Sequence, residues 1–374
     1  MIQSYPLHSL TSGSWFKLIC GASYQHLPAV RSLALVYSLA GADCIDVAAD
    51  PAVVAAAREG IKAAQELQSI TSENHHEQST STFLTNPYQQ KVFNSPLLMV
   101  SINDGEDPHF RKAKFNTTQC PPNCPQPCIQ ICPAGAIEPN SIGVIDKLCY
   151  GCGRCLPVCP KSLITTDFHI SSLGAIASSI DSSAIDAIEI HTQVGHYADF
   201  ERVWKTIAPV VNKLKLLAIS CTDGENVINY LRSLYKLISP LPCPLIWQTD
   251  GRSMSGDIGK GTTHAAIAFA QKVLQANLPG YIQLAGGTND YTVNKLKQLK
   301  LLRQNLIRSS FVAGVAYGSY ARAILSPILT KLETTELQIQ SDLTMNQHEL
   351  EQNKDLLEQA LVIARRLVNQ IKTA

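Results

Sequence analysis

Eight of the twelve cysteines in this chain fall within forty residues. They read Cys120-x3-Cys124-x3-Cys128-x3-Cys132-Pro133, then Cys149-x2-Cys152-x2-Cys155-x3-Cys159-Pro160. The second run has the spacing of bacterial ferredoxins, in which a tight loop turns three thiolates onto one iron–sulfur cube. The fourth thiolate, followed by proline, reaches the neighbouring cube. Paired C-x2-C knuckles also hold tetrahedral zinc, but a knuckle pair uses four cysteines, and here two Cys-Pro-terminated runs supply eight. Crossover of the fourth ligand assigns Cys120, Cys124, Cys128 and Cys159 to a first cluster. It assigns Cys132, Cys149, Cys152 and Cys155 to a second.

The two runs look like duplicated halves. Ala134-Gly135-Ala136-Ile137 and Lys161-Ser162-Leu163-Ile164 follow the two Cys-Pro pairs at equivalent positions, each a short turn leading into an apolar residue. The first run departs in its wider spacing and in Pro121, Pro122, Pro125 and Pro127, which forbid a helix and favour an extended, rigid loop. The second cluster is expected to be 4Fe–4S; the wider loop leaves the first open between 4Fe–4S and 3Fe–4S.

Composition sets the context for these thiols. A net charge of +1 and a charged fraction of 16% give no field that points to nucleic acid or an anionic membrane as partner. Met1 to Gly13 lack a basic start followed by an apolar run, which argues against secretion and for a reducing cytoplasm, where thiols bind metal. The longest apolar stretches, such as Pro96 to Val100 and Ala265 to Phe269, fall far short of the roughly 20 residues that span a bilayer.

The elements that must position the cassette alternate between β-branched or apolar runs and amphipathic helical stretches, the pattern of βα units. Eight strands are expected, over 15–21, 44–48, 97–103, 185–191, 216–220, 245–249, 281–285 and 311–316. Helical stripes recur between them, as in Phe200, Val203, Trp204, Ile207 and Val211. Gly41 marks the end of one helix and Pro51 the start of the next. Together these predict a (β/α)8 TIM-like barrel with a dicluster ferredoxin-like domain inserted after the third strand, although a doubly wound open sheet shares the pattern. The expected divisions are 1–107 and 171–330 for the two parts of the barrel, 108–170 for the insert and 331–374 for a C-terminal helical segment. That last segment is Glu- and Gln-rich, with apolar Leu356, Leu357, Val362, Ile363, Leu367 and Ile371. It reads as one long helix docked on the barrel.

A βα loop lies at the C-terminal mouth of a barrel, so the clusters are expected there. Polar residues at the strand ends are Asp50, Asn103, Asp104, His191, Asp223, Asp250, Arg252, Asn289 and Tyr317. Turns and helix caps use the same types for structural reasons, and His191 has the best claim to chemistry. Gly286, Gly287 and Gly318 follow the last two strands, where barrel enzymes hold phosphate, so either a flavin mononucleotide (FMN) or tight turns account for them. The stretch Gly251 to Thr263 fails as a P-loop, since Lys260 is followed by Gly261, and reads as a lid or partner-binding loop. His75 and His76 lie in a polar stretch that reads as a surface excursion rather than a metal handle.

Beyond the cassette, the chain opens with Trp15-Phe16-Lys17-Leu18-Ile19-Cys20-Gly21-Ala22-Ser23 and later carries Trp247-Gln248-Thr249-Asp250-Gly251-Arg252. In this combination it resembles the cyanobacterial light-dependent period family, LdpA, over nearly its whole length. The resemblance implies an iron–sulfur protein that conveys cellular redox and light state to the circadian clock by interacting with clock proteins. It assigns no catalytic residue. The competing reading is a ferredoxin-coupled, flavin-linked oxidoreductase acting on a small substrate at the barrel mouth.

Overall fold

The structure, a computed structural model, describes residues 6–20, 27–73, 94–105, 111–132, 135–139, 142–145, 148–149, 155–168, 173–181, 185–251, 262–303, 310–339 and 349–374. In chain order the strands are β1 (Trp15–Ile19), β2 (Cys44–Ala48), β3 (Leu97–Asn103), β4 (Arg111–Lys114), β5 (Ile137–Glu138), β6 (Gly143–Val144), β7 (Thr165–Phe168), β8 (Ala187–His191), β9 (Leu216–Thr222), β10 (Leu245–Asp250), β11 (Tyr281–Ala285) and β12 (Val312–Tyr317). The eight strands expected for a barrel close on themselves in the order β1-β12-β11-β10-β9-β8-β3-β2, with parallel neighbours, so the open-sheet alternative is excluded.

Side chains alternate across each strand. Phe16 and Leu18 point outward and join Leu33, Val36 and Tyr37 in the apolar ring between strands and helices. Trp15, Cys44, Met99, Ala187, Ala218 and Ile246 cluster on the inside as an apolar floor, plugged from below by Leu10 of the short helix His8–Ser12. Gly314 pairs with Trp15 in register, and a Cβ there would lie 2.5 Å from that of Trp15; the missing side chain is the room the tryptophan occupies.

The helix boundaries follow the expected punctuation. Helix Leu27–Ala40 stops at Gly41, whose φ of 94° suits glycine. Pro51 opens helix Pro51–Glu73, where Asp50 Oδ1 accepts from the N–H groups of Ala52 (2.9 Å) and Val53 (3.3 Å). The C-terminal segment differs from expectation. Helix Ser319–Ile339 is already under way well before residue 331, and a separate helix, Lys354–Lys372, begins where Asn353 Oδ1 accepts from Leu356 N at 3.1 Å. That last helix docks on the barrel as expected: Leu356, Leu361, Leu367 and Val368 join the outer core, and Arg31 pairs with Glu351 at 2.6 Å.

Between β3 and helix Leu173–Asp181 lies the cassette. Strand β4 pairs antiparallel with β7, and β5 with β6, while two short helices, Pro127–Ile131 and Cys155–Val158, pack against each other. The expectation that its prolines forbid a helix is corrected at Pro127. There proline occupies the first helical position, where its missing N–H breaks no intrahelical bond.

Candidate metal centre

The local folding of the two cassette halves is the same. Each short helix delivers a Cys-Pro pair, Cys132 or Cys159, and the chain then turns sharply. In the first half Ala136 N–H donates to Cys132 Sγ at 3.2 Å; in the second Leu163 N–H donates to Cys159 Sγ at 3.3 Å, four residues on in both cases. The third residue after each cysteine has positive φ, 56° at Gly135 and 49° at Ser162. The fifth, Ile137 or Ile164, is buried in a small core with Cys128 and Cys155. Sulfur that accepts backbone N–H groups is stabilised as thiolate, the form that binds iron.

The thiols are brought together in a recognisable way. Burial pushes Cys120 up, and the adjacent Cys124 and Cys159 add to the shift. Burial likewise pushes Cys128 up, with Cys159, Cys120 and Cys124 contributing. At Cys159 burial is outweighed by the N–H groups of Leu163, Lys161, Ile164 and Ser162, which lower it. Cys120, Cys124, Cys128 and Cys159 therefore lie within electrostatic reach of one another. Of the other set, Cys132, Cys149 and Cys155 are described and Cys152 lies outside the described residues. Cys132 and Cys149 are linked through the backbone: Ala136, donor to Cys132 Sγ, accepts from Ile145 N, and Ile145 O accepts from Cys149 N. This all-thiol donor set, met by backbone N–H groups, fits an iron–sulfur cofactor. The scattered cysteines differ: burial pushes Cys20 and Cys221 up to about 12, which leaves them inert thiols.

Residues 120–170 match the LdpA Fe-S cluster-binding domain, and residues 179–370 match the Light dependent period A C-terminal domain. Light dependent period A of Synechococcus elongatus is 46% identical over all 374 residues of this chain, covering 96% of its own length. The chain belongs to the Light dependent period A family. Its cassette is that family's iron–sulfur cluster-binding domain, here seated on a closed barrel. A solved structure of Mycobacterium tuberculosis tryptophan synthase is also similar, covering 97% of this chain and 99% of its own at 11% identity and a TM-score of 0.40, a likeness too remote to inform the site.

The insert of this family member is fixed to the barrel mouth through β4. Lys112 is buried and its Nζ lies 3.0 Å from Asp50 Oδ2 at the end of β2, while the next residue, Ala113, donates its N–H to Cys149 Sγ at 3.4 Å. One residue thus faces the barrel and its neighbour faces a cysteine of the second run.

The polar residues expected at the mouth divide into two groups. Asp50 caps a helix; Asp104 accepts from Thr192 and lies 3.2 Å from His196 Nδ1; Asp223 pairs with Lys272 at 2.8 Å; Asn289 makes a turn with Tyr291 N at 3.0 Å. Tyr317 points outward and stacks on Phe16 at 5.1 Å, because its place in β12 is on the helix-facing side. Asn103 is in register with His191, whereas Arg252, His75 and His76 lie outside the described residues. Gly287, with φ of 112°, packs so tightly on Thr262 that a Cβ would lie 2.2 Å from its Oγ1, and Gly286 also has positive φ; both serve the turn after β11. A Cβ at Gly318 would make ordinary contact, 3.7 Å from Ile19 Cβ and 3.8 Å from an Arg322 guanidinium nitrogen.

His191 and Asp250 belong to the second group. They sit above a buried polar layer that sequence reasoning did not single out: Lys17, Asp46, Glu189, Gln248 and Gln283, joined by Ser101 and Ser220. Lys17 pairs with Asp46 at 2.9 Å and with Glu189; burial alone would lower Lys17, but these carboxylates outweigh it and hold the ammonium above its ordinary value. Burial, reinforced by the charge of Glu189, pushes Asp250 up to about 7. The signal in the sequence was a lone polar residue in the middle of apolar strands, as in WFKLI, CIDVA, AIEIH and YIQLA.

Proposed function

We propose that this protein is an iron–sulfur redox sensor of the circadian clock's input, with one cluster on Cys120, Cys124, Cys128 and Cys159 and a second on Cys132, Cys149, Cys152 and Cys155. The relative's name, Light dependent period A, supports a place in light-dependent setting of period. The observation that carries the reading is the Lys112–Ala113 junction, with Lys112 buried on Asp50 of the barrel and Ala113 donating to Cys149. An electron added to a cluster changes a local charge, and this junction gives the change a mechanical and electrostatic route to the barrel mouth. A clock protein reads the state only if it binds the oxidised, reduced and apo forms with different affinities.

The test is anaerobic purification with iron and sulfide quantitation, electron paramagnetic resonance through a redox titration, and binding of clock proteins to each form. Two clusters that titrate, with partner affinity changing between states, are expected. Equal affinity for all three forms overturns the sensor reading. Flavin released on denaturation would instead favour the ferredoxin-coupled, flavin-linked oxidoreductase.

A further inference from the structure

The hydrogen-bond directions inside the barrel can be fixed from the floor upward. The indole of Trp15 is only a donor, so Gln283 turns Oε1 toward it at 2.7 Å and its own Nε2 toward Gln248 Oε1 at 2.6 Å. Gln248 is left with its N–H groups facing carboxylates, Glu189 Oε1 at 2.8 Å and Asp250 Oδ1 at 3.2 Å. Lys17 donates to the other Glu189 oxygen, so Glu189 is an ionised acceptor. His191 Nε2 lies 3.2 Å from Glu189 Oε1. A nitrogen lone pair there would face a negative oxygen, so Nε2 carries its proton.

The other imidazole nitrogen, Nδ1, is 2.8 Å from Ser220 Oγ, which is also hydrogen-bonded to Asp250 Oδ2. The serine has one proton to give. Given to Asp250, it requires His191 Nδ1 to be N–H, with a cationic imidazole and an ionised carboxylate. Given to His191, it requires Asp250 to be protonated, with both ends neutral. The two arrangements hold the same protons and differ only in where one of them rests.

We propose that His191, Ser220 and Asp250 form a relay holding one mobile proton at the barrel mouth, an acid–base site that does not depend on the clusters. When the proton moves, the Nδ1–H bond breaks as Ser220 Oγ takes that proton, and the serine's own proton passes to Asp250; no charge leaves the site. The charged groups acting on the relay are Glu189 from β8 and Lys17 from β1, with Asp46 of β2 behind Lys17; the Cys221 thiol of β9, on the helix-facing side, is within electrostatic reach of Asp250. His191, with its imidazole 15% exposed, and Asp250 are both only partly buried, so the relay is open to a proton donor or acceptor seated at the mouth. The elevated Asp250 matches a carboxyl able to take its turn with the proton.

The full-length, cluster-loaded protein labelled with 15N-histidine tests this, the His191 signal among ten histidines being assigned by its loss in His191→Gln. In the wild type, neutral His191 is expected to keep its proton on Nε2. Ser220→Ala and Asp250→Asn are each expected to lower the pH at which the imidazole loses its charge by about one unit, while Ser220→Thr, which keeps the hydroxyl, leaves it in place. A neutral imidazole protonated on Nδ1, or a titration unmoved by either Ser220→Ala or Asp250→Asn, overturns the relay. Should Ser220→Ala not fold, the wild-type tautomer and the Asp250→Asn titration decide between the same two results.

Discussion

The barrel and its insert are held together by different means. The barrel buries Trp15, Trp247, Phe200 and Phe269 together with a paired charge layer, so its strands are fixed by packing and by partnered polar groups. Among the described residues the buried core of the insert is Cys128, Ile137, Cys155 and Ile164, two of them cysteines of the two runs, with Phe115, Leu156 and Val158 packed partly buried against it; Ile129, Ile131, Ile142 and Leu148 are left exposed. Apolar burial supplies only about 25 cal/mol per Å², and a core of this size cannot order the insert unaided. On the proposed function, the insert is a fold that its metal organises and a self-sufficient barrel carries, the division a sensor needs if its cofactor is to change state without dissolving the support.

The largest effect that tests this contrast is iron removal. Stripping the clusters with a chelator is expected to bring the amides of 111–168 to exchange rates near those of an unfolded chain, while β1 and β9 stay protected in hydrogen–deuterium exchange. Protection surviving in the iron-free insert would erase the distinction. Next in size, Lys17→Met leaves Asp46 and Glu189 buried without their cation and is expected to cost about 3–5 kcal/mol. Urea unfolding followed by tryptophan fluorescence reads this, with iron per chain unchanged.

The Asp250 carboxyl gives the barrel a pH dependence of defined sign. Its folded value of about 7 stands above the ordinary 3.8, so the folded chain holds more protons than the unfolded one between those values. Stability contributed through this group is full below about 4 and falls as pH rises toward about 7. Urea midpoints across that range should show the decline, and Asp250→Asn should flatten it; an unchanged slope removes Asp250 as its source. The smallest effect lies in the insert. Ser162 has the positive φ that its duplicate Gly135 meets without a side chain, so Ser162→Gly is expected to stabilise by about 0.5–1 kcal/mol. A loss on that substitution would mean that the two halves are not equivalent.

The sequence by itself determined the chemistry of the cassette and the number of barrel strands, because both are written in local spacing. Thiolates on one loop are counted along the chain, Gly41 and Pro51 end and start helices through their own backbone preferences, and apolar runs alternate with helical stripes. The charge layer was present as single residues, Lys17, Asp46, Glu189, Gln248 and Gln283, each isolated in an apolar strand and separated by up to 266 positions (Lys17 to Gln283). Nothing local shows that these five meet, or that Tyr317 turns away from the mouth while His191 turns into it. Closure of the barrel decided that, since only the register between neighbouring strands puts a lysine from β1 level with a glutamate from β8 across the interior. The docking of the insert was likewise tertiary: Lys112 reads as an ordinary surface lysine until the fold buries it against Asp50.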